Sequence, residues 1–127
     1  MRLVKEKAWK YYNKWRKNPP YSPALKSKVR VSLKGWDHIT GSTGHKKRAI
    51  GDVYRRLKLL PYADKIIKTS TTIQNIVEKK SRKFYAIEAM IEVKQDSKRV
   101  SRKVRVVIER DRNGGYVFLS VMDKKRR

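Results

Sequence analysis

Cysteine is absent from the 127 residues. A disulfide framework, a thiolate nucleophile and a thiolate metal ligand are therefore excluded together. Acidic side chains are scarce as well, 11 against 35 Lys+Arg. Histidine occurs twice and phenylalanine twice. No uninterrupted apolar run approaches the ~18 residues of a transmembrane helix. The opening Met1-Arg2-Leu3-Val4-Lys5-Glu6 lacks the apolar stretch of a secretory signal. What is present is a formal charge of +24, with enough Trp, Tyr and aliphatic residues to build a modest core. Self-repulsion of that size calls for a polyanion or an acidic partner.

The charge covers the whole chain. Residues 1–28 hold nine basic side chains and one acidic, residues 29–68 ten and three, and residues 69–127 sixteen and seven. A basic tail is thereby excluded. Clusters occur at Lys46-Lys47-Arg48, Arg55-Arg56, Lys79-Lys80-Ser81-Arg82-Lys83 and Lys124-Lys125-Arg126-Arg127. Each alone reads as a solvated face; together they make the electrostatic footprint of nucleic-acid binding.

Periodicity divides one compact domain into an N-terminal segment, 1–28, and a main α+β unit, 29–127. Leu3 to Lys17 has loosely helical apolar spacing and ends at Asn18-Pro19-Pro20, where the hydrogen-bond ladder cannot continue. A proline-rich linker follows through Tyr21-Ser22-Pro23. Val29, Val31 and Leu33 alternate with polar residues as a short strand, which Gly35 is expected to break. Trp36 to His45 then reads as a polar, glycine-rich loop. A helix is expected from about His45 or Lys46 to Leu59, with Ala49, Ile50, Val53, Tyr54 and Leu57 on one stripe. Leu60-Pro61 interrupts it, and Tyr62 to Lys68 continues with Ile66 and Ile67 inward.

From Thr71 the period becomes two. Strands are expected over 71–79, 84–94, 102–110 and 115–122, with Asn113-Gly114 marking the last hairpin. The expected architecture is α+β: N-terminal helices packed on a four-stranded antiparallel meander. Alternation places Tyr85, Ile87, Val104, Val106, Ile108, Val117, Leu119 and Val121 under the helices. The opposite face would present Thr72, Gln74, Glu88, Arg105, Phe118 and Ser120, a set able to stack bases and bond a nucleic-acid backbone.

Both histidines, His38 and His45, fall in the predicted loop. No zinc spacing accompanies them, and no P-loop or serine-hydrolase elbow exists. Metal-free RNA cleavage by the 2′-hydroxyl fits these residues better, since it needs a base, an acid and cations rather than a protein nucleophile. Histidine fills either proton-transfer role near neutral pH. Glu88 is an alternative base, Arg48 or Arg105 would stabilise the phosphorane, and Thr72 or Ser120 would hold the scissile phosphate. Lys46, Lys47, Arg55, Arg82, Lys83, Arg105 and Phe118 are the expected RNA contacts. No cofactor and no metal is implied.

The stretch Gly35-Trp36-Asp37-His38-Ile39 through Lys47-Arg48, the run Ser70-Thr71-Thr72-Ile73 and the ending Ser120-Val121-Met122 resemble the barnase–EndoU–colicin–RelE superfamily of metal-independent RNases, in its phage and polymorphic-toxin branches. The resemblance spans roughly residues 29–123. It implies His38 as general acid or base, His45 as a second candidate, Arg48 on phosphate, and Thr72 and Ser120 on the active face. Thr43-Gly44-His45 departs from the Gly-Gly-His element of bacterial EndoU members. The resemblance further implies a toxin-like endoribonuclease acting in the cytoplasm, with tRNA among its candidate substrates and an acidic immunity or antitoxin protein as partner. The competing expectations are a non-catalytic basic nucleic-acid-binding module and an adaptor for an acidic protein.

Overall fold

The computed structural model describes residues 2–41, 49–95 and 97–124. Among these the elements run α1 (Arg2–Lys17), β1 (Tyr21–Ser22), β2 (Ser27–Arg30), α2 (Leu33–Thr40), α3 (Ile50–Lys58), α4 (Leu60–Thr69), β3 (Asn75–Lys79), β4 (Arg82–Gln95), β5 (Lys98–Arg110) and β6 (Tyr116–Lys124). The α+β class is as expected, but the sheet is not a four-stranded meander. Six strands lie in the order β1-β2-β6-β5-β4-β3, and β2 pairs with β6 in parallel. The two extra strands are a two-residue β1, whose Tyr21–Ser22 pairs with Ser27–Lys28, and β2, which overlaps the short strand expected from Val29 and joins the sheet through Val29–Arg30 with Tyr116–Val117. No described helix is long and apolar enough to cross a membrane.

The helices pack against the sheet, with their largest shared core over β4, β5 and β6. Ala8, Tyr12 and Trp15 of α1, spaced by a turn, are buried together with Val53 and Leu57 of α3 and Leu60, Ala63, Ile66 and Ile67 of α4. Pro61 starts α4, where its missing N–H costs nothing. The sheet answers with Ile87, Val104, Val106, Ile108, Phe118 and Val121. Alternation along β4 and β5 follows the sequence pattern. Along β6 it does not. Ile108 pairs with Phe118 but Val107 pairs with Ser120, so Leu119 is an extra residue and the strand carries a β-bulge. The bulge reverses the phase, and Phe118 turns into the core with its ring 4.9 Å from Trp15 and 6.4 Å from Tyr12.

The second departure is α2, where a strand end and a loop were expected. Gly35, Trp36 and Ile39 form its buried stripe. Gly35 is a contact residue rather than a breaker: a Cβ there would lie 2.6 Å from the Tyr12 hydroxyl oxygen and 2.7 Å from the Phe118 carbonyl oxygen. The Tyr12 hydroxyl donates to the Ser32 carbonyl at 2.5 Å and accepts the Trp36 N–H. One phenol thus ties α1 to the first turn of α2, and burial raises its pKa well above the ordinary range. Gly41, at φ +71, ends the helix in the left-handed conformation, its N–H on the Asp37 carbonyl.

Gly35→Ala is expected to destabilise the fold by about 1–3 kcal/mol through overpacking. Gly51→Ala, where an added Cβ meets nothing within 4 Å, is expected to be neutral or stabilising by up to about 1 kcal/mol. Thermal unfolding followed by circular dichroism separates the two; equal effects would contradict the close approach at Gly35.

Candidate functional site

α2 brings two cationic or titratable side chains to one side of the molecule. Lys34 and His38 are four residues apart, so they occupy the same helix face one turn apart. Both are exposed, and Lys34 donates to a buried carboxylate, Glu109, at 2.7 Å. His38 therefore stands on a rigid helix and not in a loop. His45, Lys46, Lys47 and Arg48 lie outside the described residues.

The sheet face turned away from the core helices carries Glu88 and Arg105 in direct register. Arg105 Nε donates to Glu88 Oε2 at 2.6 Å, and Lys103 Nζ stands 3.5 Å from Oε1. Gln74 joins this pair to Thr72: its side-chain carbonyl accepts the Glu88 N–H at 2.6 Å, and its amide donates to Thr72 Oγ1 at 2.9 Å. Thr72, Glu88 and Arg105 thus belong to one hydrogen-bonded chain.

Ser120 does not join them. β5 and β4 separate it from the Thr72 side of the sheet. Its side chain is buried, and Arg56 donates to its hydroxyl at 2.6 Å while also holding Asp52 at 3.0 Å. Phe118 is fully buried, so the expected stacking platform is a core residue; the bulge after it is the reason. Arg55 is exposed on α3, with Asp52 at 3.8 Å. Lys83 faces Glu78 at 3.8 Å and lies over the Tyr85 ring.

Arg82 belongs to a different cluster. Its Nε and Nη2 grip both oxygens of Glu109 at 2.8 and 3.0 Å, a bidentate fork. Glu109 is 6% exposed and is also bonded by Lys34. Hydrogen bonding from Arg82, reinforced by Lys34 and opposed by burial, holds its pKa down at about 2. The pair roofs a cleft of about 500 Å3 between the β3–β4 and β5–β6 turns and the start of α2. Sequence reading missed Glu109 and Lys34. The available signal was a lone acid in a strand, diagonally across from Arg82 once Phe84 is paired with Glu109.

Among the described residues no three His, Asp or Glu side chains converge as metal ligands. No family model, curated protein or solved structure matches the chain.

The Glu109 shift has a sign that can be tested. A carboxyl with an ordinary value of 4.5 that titrates near 2 in the fold contributes stability in full above pH 4.5, and loses it as pH falls toward 2. With Arg82 half exposed to solvent, the contribution is about 2 kcal/mol. Glu109→Gln is expected to lower the denaturant midpoint at pH 7 and to flatten its decline on acidification. A variant whose acid profile overlays the parent's would refute the clamp.

Proposed function

We propose that the domain binds RNA through its cationic surface and cleaves it without a metal, by attack of the 2′-hydroxyl on the adjacent phosphorus. The P–O2′ bond forms as the P–O5′ bond breaks. The 2′ proton passes to a base and the leaving 5′ oxygen receives one from an acid, giving a 2′,3′-cyclic phosphate. The observation that carries this reading is the position of His38. It is exposed on the same face of α2 as Lys34, the side chain by which that helix enters the cationic cleft. An imidazole beside a phosphate-attracting surface is suited to either proton transfer.

The resemblance to metal-independent RNases assigns His38 the same role. Thr72, hydrogen-bonded into the Glu88–Arg105 chain, lies two strands away from β6, the strand on which α2 packs, so it adds nothing to the His38 side. Ser120 does not support the reading, since its side chain is buried and its hydroxyl is committed to Arg56. A toxin role, tRNA as substrate, action in the cytoplasm and neutralisation by an acidic protein belong to the proposal through the resemblance alone.

One observation favours the runner-up, a non-catalytic nucleic-acid-binding module. Glu88 is clamped by Arg105 and Lys103, an arrangement that stabilises a sheet as readily as it serves a reaction.

Purified protein incubated with total tRNA in EDTA is expected to yield fragments ending in 2′,3′-cyclic phosphate. His38→Ala is expected to lower kcat by about 100-fold or more, with unfolding unchanged. Undiminished cleavage by that variant would remove His38 from the mechanism. Intact RNA at every protein concentration, with steeply salt-dependent binding, would establish the runner-up instead.

A further inference from the structure

The cleft beside Glu109 is strongly cationic. Arg30 and Lys34 enter it from β2 and α2, Lys80, Arg82 and Lys83 from the β3–β4 turn and the strand after it, and Arg110 and Arg112 from the end of β5 and its turn. Among the lining residues Glu109 and Asp111 oppose these seven, and Glu78 outside the cleft faces Lys83, leaving a local excess of at least four positive charges. Arg30 is tied to Asp111. Lys34 and Arg82 are oriented by Glu109, yet each keeps N–H donors that Glu109 does not use.

Two further features point the same way. The β3–β4 turn is built from Lys80 at φ +48 and Ser81 at φ +66, left-handed conformations that Asn-Gly would adopt with less strain. The turn therefore keeps a lysine at the cleft wall against backbone preference. The start of α2 also opens here. Ser32 lines the cleft and precedes the first turn of the helix, without a side-chain capping bond. Its hydroxyl and the positive end of the helix dipole add to the attraction for an anion.

We propose that this cleft is a phosphate subsite that takes two neighbouring phosphates of an RNA strand, away from the bond being cleaved. The assignment rests on the RNA reading for the identity of the strand, and on the cleft's own geometry for the phosphates. A concave site of about 500 Å3 gathers its cations around a small volume and supplies the hydroxyls of Ser32 and Ser81, which suits compact tetrahedral anions. An acidic protein surface, the other polyanion the charge admits, would be served by cations spread over a flat face.

Amide chemical shifts recorded during titration with inorganic pyrophosphate test the site directly, because Ser81, Asp111 and Arg112 report on its walls. Saturable shifts at these residues, displaced by a single-stranded RNA dodecamer, are expected. Lys80→Ala with Arg112→Ala should weaken pyrophosphate binding at least tenfold. The same loss of charge on α1, Lys10→Ala with Lys14→Ala, should change it less than twofold. The double variant should also reduce the salt slope of RNA binding by about 1.4, the counterions released by two phosphates of a single strand. Absence of saturable shifts, equal weakening by both pairs, or a response to polyglutamate but not pyrophosphate would overturn the assignment. If His38-dependent cleavage occurs without pyrophosphate shifts, the subsite alone falls. Shifts without cleavage leave the subsite standing and remove the catalytic reading.

Discussion

The close approach of α2 to β6 at Gly35 is the constraint from which the rest of the surface follows. Without a Cβ, the helix backbone settles against the Phe118 carbonyl and the Tyr12 hydroxyl. Tyr12, buried and bonded at both ends of this junction, locks α1 to the same place. Because the helix can sit so near, Lys34 reaches Glu109 across the sheet, and His38 is presented one turn farther along. A larger residue at position 35 would displace the helix outward and take both groups with it.

The ion pairs then decide how an excess of cations is tolerated. A chain of +24 must separate like charges or neutralise them locally. Its few acids do this in different ways. Glu109 is buried and chelated by Arg82 and Lys34, whereas Glu88 holds Arg105 and Lys103 in a chain that ends at Thr72. Asp52 and Ser120 share Arg56, which anchors α3 to the bulged strand. Carboxylates placed in this way neutralise the cations they touch and also fix their positions, while the excess of +24 remains.

Much of this was legible in the residues. β4 and β5 follow a period of two so regular that Tyr85, Ile87, Val104, Val106 and Ile108 could be assigned to the buried face directly, and Leu60-Pro61 lies one residue past the α3–α4 break at Leu59. The failures have physical causes. Gly35 carries a low helix propensity, yet the missing side chain is what makes α2 packable. Gly41 looks like loop composition but is a helix cap. The bulge after Phe118 has no local signature, and by shifting the phase of β6 it moves an aromatic ring from the expected binding face into the core. β1 is two residues long and β2 joins the sheet through β6, far away in sequence, so pattern alone gives neither the length of β1 nor the partner of β2.

The central claim is that α2 and the two turns beside it form one RNA-facing surface. Amide chemical-shift mapping with a 2′-O-methyl RNA, which binds but lacks the attacking hydroxyl, tests it most directly. The account predicts that the largest shifts cluster on Lys34 to His38, Lys80 to Lys83 and Arg110 to Gly115. Shifts concentrated instead on α1, or spread evenly over all exposed cations, would contradict it.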